Sequence, residues 1–318
     1  MLRPEVLILS NRHDYASDYI CSQLWEQGIP YLRLNTDDMP EMELCLYPTE
    51  PRLEGVVSGL EFCIDSALRS VYFRCPVFLR EMPGIALPAH DQMVRSQWAS
   101  FVRNLTVFQE ALWVNHPGKT YLSENKALQL LEARKAGLTV PRSIVTNSTK
   151  KVTTEFAGES RVMLKSLDTL LVRQGDVEAF AYAVPWNLSE LAKETMSAAP
   201  ATVQPYFEPK VDWRVTVVGK KLFAVKILKD EKGVSGDWRL EKDRVRFVPS
   251  NLPAPVSSAC LRLTKQLGLI FGAIDLVEVG GEFVFLEINP TGEWAWLVEQ
   301  AGLPIDREIA KILRQGEL

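Results

Sequence analysis

Asp275, Glu287 and Asn289 interrupt two otherwise apolar runs, Gly272-Ala-Ile-Asp-Leu-Val-Glu-Val and Glu282-Phe-Val-Phe-Leu-Glu-Ile-Asn, which meet at Gly280-Gly281. Apolar runs of this length around a Gly-Gly pair predict a β-hairpin. Successive strand residues face opposite sides, so Glu287 and Asn289 share a face. Hard oxygen ligands suit Mg²⁺, which is commonly held by one or two carboxylates together with substrate phosphates. The stretch therefore reads as the metal floor of an ATP site, against the alternative of a surface hairpin with scattered acids.

Parity decides whether Asp275 joins the other two. A two-residue turn at Gly280-Gly281 would pair Asp275 with Leu286 and turn it to the wrong face. A three-residue loop over 279–281, with Gly281 at positive φ, would pair it with Phe285 and bring all three together. The odd-length loop is the expectation.

Cations precede the hairpin. Lys126 falls in the first turn of a helix predicted to open at an N-cap Ser123 and to end at Gly137. The helix dipole favours acids there, so this lysine either meets a phosphate or points to solvent. Lys165 ends the apolar run Arg161-Val-Met-Leu-Lys, where it snorkels to water or reaches an anion. Asp212 and Arg214 share a strand face in a hairpin turning at Gly219, with Lys226 on the partner strand. A polar loop over 233–237 leads to a second Asp-Trp-Arg at 237–239. Arg74 ends a strand just before Pro76, pointing either into a cleft or to solvent.

The chain that must position these groups has 318 residues, 47% of them hydrophobic, and a formal net charge of −4. That length suits two or three subdomains. The mild acidity argues against general nucleic-acid binding, which leaves a basic footprint. No apolar run reaches the roughly 18 residues needed to span a bilayer. The apolar run near the N-terminus is too short for a signal peptide and reads as a first strand. The five cysteines (Cys21, Cys45, Cys63, Cys75, Cys260) are odd in number and lack CxxC spacing. They fit reduced thiols in a cytoplasmic protein. Three scattered histidines argue against a His-based metal site or a Ser-His-Asp triad.

Strand, helix and strand over 5–10, 14–27 and 29–35 predict a small α/β domain, without a GxGxxG turn. A meander over 42–47 and 52–65 and a strand over 70–77 follow. A long amphipathic helix is expected over 90–112, and a domain boundary near Trp113-Val-Asn-His-Pro-Gly. Further on, strands are expected over 143–146 and 161–166, a charged hairpin over 240–248, and helices over 257–267 and 304–314.

The order of these pieces resembles the ATP-grasp superfamily of carboxylate–amine ligases, and within it the graspetide (microviridin-type) peptide macrocyclases. The phrases that carry the resemblance run from about residue 10 to 305. They are Leu34-Asn-Thr-Asp-Asp, Val71-Tyr-Phe-Arg-Cys-Pro, Trp113-Val-Asn-His-Pro, Asn125-Lys-Ala-Leu-Gln-Leu, Gly137-Leu-Thr-Val-Pro, Asp212-Trp-Arg-Val-Thr-Val-Val-Gly, Asp237-Trp-Arg and Phe285-Leu-Glu-Ile-Asn-Pro-Thr-Gly-Glu-Trp. The resemblance implies an α+β / α/β chain: a pre-ATP-grasp domain (1–117), then a central (118–203) and a C-terminal (204–318) lobe that hold ATP between them. It implies that Lys126 and Lys165 contact nucleotide phosphates. Gln204, Tyr206 and Phe207 would form the adenine hinge, Glu208 would meet the ribose, and Asp212 would belong to the same cofactor set. Asp275, Glu287 and Asn289 would hold Mg²⁺. Arg214, Arg239 and Lys226 would serve the transferring phosphoryl group, and Arg74 would line the acceptor side of the cleft.

Two departures stand out. The glycine-rich phosphate loop of many ATP-grasp enzymes is missing after Lys165, as it tends to be in the peptide macrocyclases. Cys75 replaces a common second arginine. The implied chemistry is acyl-phosphate activation of Asp or Glu side chains in a ribosomal precursor peptide and their joining to Ser/Thr hydroxyls or Lys amines. The alternatives are a RimK-like ligase adding a free amino acid to a carboxylate, and a non-catalytic peptide-binding relative. The resemblance also implies a homodimer. The 240–248 segment and the helix near it are the expected leader-binding surface.

Overall fold

The computed structural model describes residues 1–74, 88–167, 171–174, 177–180, 183–194, 196 and 198–318. Cys75, Pro76 and part of the segment after Lys165 that lacks the glycine-rich loop lie outside the described residues.

The chain opens as expected: β1 (Val6–Ser10), α1 (Tyr15–Glu26) and β2 (Tyr31–Asn35). A separate meander of β3 (Glu43–Tyr47), β4 (Arg52–Val57) and β5 (Leu60–Ile64) follows, then β6 (Ser70–Phe73). Helix α2 (Ala89–Asn104) leads to β7 (Leu112–Val114), which completes a parallel sheet in the order β2-β1-β6-β7. Every residue of β1 is buried, as a strand covered on both faces of a parallel sheet must be. The helix expected over 90–112 is shorter. Leu105–Val107 tighten into a 3-10 turn, and Leu112 and Trp113 are drawn into the sheet beside Ser70 and Val71. The apolar spacing that suggested one long helix is still used, since Leu105 and Phe108 are buried, but in a turn.

Two short helices come next, α3 (Pro117–Ser123) and α4 (Lys126–Lys135). Ser123 ends the first; the N-cap of the second is Asn125, whose side chain accepts from the Leu128 amide at 3.0 Å. A four-stranded antiparallel sheet follows, built from β8 (Ile144–Thr146), β9 (Arg161–Lys165), β12 (Val184–Asn187) and β13 (Ala201–Pro205) in the order β12-β9-β13-β8. Helices α5 (Thr149–Glu155) and α6 (Leu188–Leu191) accompany it. Val152, Phe156, Val162, Leu191 and Val203 give this sheet a core of its own. Between β9 and β12 the backbone forms a hairpin of β10 (Leu171–Gln174) and β11 (Val177–Phe180).

The C-terminal sheet has the order β16-β15-β14-β17-β18. Its strands are β14 (Val211–Val218), β15 (Lys221–Leu228), β16 (Arg246–Pro249), β17 (Phe271–Val279) and β18 (Glu282–Asn289). The hairpin expected over 240–248 does not form: Trp238–Arg244 coil as a 3-10 segment, and among the described residues Arg246–Pro249 pair only with β15. Trp238 is responsible, being buried against Phe247 and Trp296. One face of the sheet packs on α7 (Ala254–Gln266) and on Ala133, Ala136 and Leu138 at the end of α4. The expected 203/204 boundary thus falls inside β13, and α4 packs with the C-terminal sheet. The other face shares a core with β1, α1, α8 (Ala295–Ala301) and α9 (Ile305–Gln315). Ile305, Ile309, Ile312 and Leu313 of α9 recur at the spacing of one helical face.

Arg74 ties the N-terminal sheet to the loop after β18. Its Nε and Nη2 donate to Asp14 at 3.3 and 3.1 Å, Nη1 to the carbonyls of Thr291 and Gly292 at 2.6 and 3.2 Å, and Nη2 to Glu293 at 3.0 Å. Every nitrogen is engaged within the chain, so this arginine is an internal tie and not an open lining of an acceptor cleft. Burial alone would push Asp14 up, but Arg74, Ser17 and Ser10 outweigh it and hold the carboxyl below its ordinary value. Asp14→Asn is expected to cost about 3 kcal/mol at neutral pH, because it leaves a buried guanidinium short of a carboxylate. A carboxyl more acidic when folded contributes fully above its unfolded value near 3.8 and loses that contribution as pH falls through the folded one. Denaturant unfolding of the variant and wild type should therefore differ at pH 7 and converge as the pH falls well below 3.8.

Candidate active site

The β17–β18 hairpin turns on two residues, Gly280 and Gly281, both at positive φ (57° and 86°), as a tight hairpin turn of mirror-image hand needs. The expected three-residue loop is absent. Pairing runs evenly from Val279↔Glu282 to Leu276↔Phe285, then slips by one residue, so that Asp275 opposes Glu287 and Ala273 opposes Asn289. Leu286 is the extra residue of a β-bulge. The bulge makes the parity change that had been assigned to the turn: Phe285 stays buried opposite Leu276, and Glu287 still arrives opposite Asp275.

Charged groups converge on this pair from three other elements. Arg214 of β14 lies in register with Asp275, its Nε 3.1 Å from Oδ1. Arg239, carried by the 3-10 segment, donates through Nη2 to Asp275 Oδ2 at 2.7 Å and lies 3.8 Å from Glu287. Asp237 accepts from the Arg239 amide at 3.0 Å, which fixes the start of that segment. Lys126, from the start of α4, lies 3.9 Å from Glu287 and donates to the Ser166 carbonyl at 3.3 Å. Asn289 donates to Glu287 at 3.3 Å.

The field inside the cluster is uneven. Burial, helped by Glu287, pushes Asp275 up against the pull of Arg214 and Arg239. Burial also pushes Glu287 up, but Lys126, Lys165 and Arg239 prevail and hold it below its ordinary value. Burial drives Lys165 down, with Glu287 as the leading opposing charge. Asp212 is pushed up by burial even though it is ion-paired to Lys210. Lys210 was not singled out from the sequence. It precedes β14, so strand alternation does not assign its side, and only the fold brings it to Asp212.

The donor set fits a magnesium–phosphate group. Among the described residues, the buried Arg214 Nε and Nη1 and Asp275 Oδ1 find no hydrogen-bond partner; the 3.1 Å approach of the first and last is not aligned for one. A buried guanidinium left open costs free energy that an arriving anion recovers. Among the described residues no group of three His, Cys, Asp or Glu is placed to hold a metal by itself. Two carboxylates and an amide suit Mg²⁺ that takes its other ligands from phosphate oxygens and water.

The expected hinge is partly committed elsewhere. Gln204 is buried and spends its amide on Ser143 Oγ at 3.0 Å, which leaves the main chain with Tyr206 and Phe207 for a base. Arg161 stacks 4.0 Å over the Tyr206 ring. Glu208 accepts from Arg161 at 3.1 Å and from Ser235, in the 233–237 loop, at 2.6 Å. Beside Lys126 a groove of about 570 Å³ runs between α4 and the central sheet, past Leu130, Thr139, Val145 and Thr202.

Lys226 does not join the site. It pairs with Trp213, whereas Arg214 pairs with Val225, so its side chain is on the opposite face of the sheet. There its ammonium sits 5.0 Å from the Trp213 ring and 3.8 Å from Glu278. The sequence placed it on the partner strand correctly, but the register across Gly219 decides its face.

No family model and no curated protein matches the sequence. Solved structures match over its whole length. The macrocyclase MdnC of Microcystis aeruginosa, bound with precursor peptide MdnA, is 22% identical with a TM-score of 0.81, over 97% of this chain and 99% of that one. A RiPP-associated ATP-grasp ligase of Chryseobacterium gregarium, in complex with ADP and a leader and core peptide, is 21% identical with a TM-score of 0.84, over 100% and 98%. The chain has the ATP-grasp fold. A further ATP-grasp ligase, PsnB, complexed with a phosphomimetic variant of its minimal precursor, Mg and ADP, is 19% identical with a TM-score of 0.76, over 99% of both chains.

The face assignment in this ATP-grasp chain is testable with a plain polyanion. Arg214→Ala should weaken tripolyphosphate binding by roughly ten- to a hundredfold, the equivalent of one charge-assisted hydrogen bond of about 1.5–3 kcal/mol. Lys226→Ala should leave it unchanged. Isothermal titration calorimetry of both variants checks this.

Proposed function

We propose that this protein is an ADP-forming ligase that uses ATP and Mg²⁺ to join Asp or Glu side chains of a ribosomal precursor peptide to Ser/Thr hydroxyls or Lys amines, closing rings. The observation that carries the reading is the guanidinium of Arg214 beside Asp275, Glu287 and Asn289, in a chain that matches a solved macrocyclase and a RiPP-associated ATP-grasp ligase over nearly its whole length. A carboxylate is a poor acylating agent because its leaving group would be oxide. Its oxygen attacks the γ-phosphorus and the β–γ bridge breaks, with ADP as leaving group. The hydroxyl or amine then attacks the acyl carbon, and inorganic phosphate leaves as the proton passes to solvent.

Catalysis of phosphoryl transfer is mostly positioning and charge neutralisation, which is why cations and oxygen ligands suffice without a histidine. Asp275, Glu287 and Asn289 would hold Mg²⁺, which would supply neutralisation of phosphate charge. Lys126 and Lys165 would cradle the phosphates, and Arg214 and Arg239 would receive the transferring group and then the acyl phosphate. The main chain at 205–207 would meet the adenine and Glu208 the ribose. The central sheet would act as a lobe that closes over the nucleotide and excludes water from the acyl phosphate.

Mass spectrometry tests this with the enzyme, ATP, Mg²⁺ and an Asp/Glu- and Ser/Thr-rich peptide encoded beside its gene. The peptide should lose the mass of one water per ring; a gain of an amino-acid residue mass would overturn the reading. Asp275→Ala and Glu287→Ala should abolish the mass loss while leaving the unfolding curve cooperative, and retained activity would remove the metal assignment.

A further inference from the structure

Among the described residues, strand β18 is the edge of its sheet, with one row of main-chain donors and acceptors unpaired by any other strand. It is also the bulged strand that carries Glu287 and Asn289. A bulged edge strand is poorly specified by its ladder alone, because a one-residue slip moves every later side chain to the other face. The strand is also held at three points outside its ladder with β17. The Phe285 amide donates to the Thr139 carbonyl at 2.8 Å, just before the bulged Leu286. Past the end of the strand, Asn115 donates to the Pro290 carbonyl at 2.8 Å while also binding the main chain at the start of β17.

Between these two points stands Gln129 of α4. It is 3% exposed, and its amide takes both polar main-chain groups of Ile288: Oε1 accepts from the amide at 3.0 Å and Nε2 donates to the carbonyl at 2.9 Å. Nε2 also donates to the Ser123 carbonyl at 2.7 Å, which anchors the side chain to the preceding turn. Ile288 is the residue between Glu287 and Asn289. Gln129 thus continues the sheet by one residue past its edge, opposite the pair that points into the site.

We infer that Gln129 is a positioning residue for the Mg²⁺ ligands: it holds the bulge at Leu286 in place through Ile288 and so keeps Glu287 and Asn289 on the face of Asp275. The same helix carries Lys126 one turn earlier, so the clamp also sets the separation of that lysine from Glu287. This inference rests on the reading of the three side chains as metal ligands, but the clamp itself can be measured apart from it.

Gln129→Met keeps the length of the side chain and removes its hydrogen bonds. Two readouts are taken on the full chain. Exchange of the Ile288 amide, followed by NMR, should lose its protection. The Mg²⁺ concentration for half-maximal ATP turnover should rise about tenfold or more, as when an outer partner of a metal ligand is removed, with turnover recovering at saturating Mg²⁺. Lys135→Gly loosens the same helix at an exposed position, away from the buried face that carries Gln129, and should leave the half-saturation point where it was. Should Gln129→Met fail to fold, Gln129→Asn carries the same test, since its amide is one methylene too short to reach. An Ile288 amide as protected as in wild type, or an unchanged Mg²⁺ requirement, would overturn the inference. A wild-type protein without Mg²⁺-dependent ATP turnover would instead retire the proposed function, and Ile288 protection alone would then decide the clamp.

Discussion

Asp275 is a carboxylate buried in the middle of a sheet, and most of the site follows from what that burial demands. Removing an ion from water costs several kcal/mol even after relaxation, so it persists only with well-placed countercharges. Arg214 and Arg239 supply them from two different elements. Glu287 on the neighbouring strand adds a second negative charge, compensated by Lys126 and Lys165 from two more. The result is a cluster whose members each depend on the others' positions. Among the described residues, Arg214 Nε and Nη1 and Asp275 Oδ1 in this cluster find no hydrogen-bond partner.

The way the cores are divided fits that demand. The N-terminal parallel sheet and the C-terminal sheet share one apolar cluster through α1, α8 and α9, and Arg74 and Asn115 fasten the loop after Asn289 to the same body. Gly292 completes the fastening: a Cβ there would come within 2.5 Å of Ala273 and 3.1 Å of Asn289, so the loop can lie this close only without a side chain. The central sheet is cored separately around Phe156 and Val203. A lobe with its own core can shift as a unit over a floor that does not.

Much of this was legible in the residues. Apolar alternation interrupted by Asp275 and Glu287, a lysine at the wrong end of a helix dipole, and paired Asp-x-Arg motifs all mark places where local preference is broken, and such breaks concentrate at functional sites. Arg74 was legible only as an arginine at a strand end. Its five contacts come from Asp14, at the start of α1, and from residues 291–293, and no spacing in the sequence links those positions. The long helix over 90–112 misread apolar spacing that a helix followed by a turn satisfies equally well.

The sequence alone determined which residue types stand where chemistry is possible and that the hairpin has oxygen side chains on both strands, because residue type and alternation are local properties. Tertiary structure decided how they meet. The Gly-Gly pair formed the short turn its own chemistry favours, and an even register would have turned Asp275 away from Glu287. The bulge at Leu286 restores the pairing, and what holds it there comes from Thr139, Gln129 and Asn115, which are remote in the chain. Lys226 was lost to the other face by the same rule of alternation. A period of two makes every facing assignment depend on a one-residue register, and register is set by packing across strands, which local sequence does not contain.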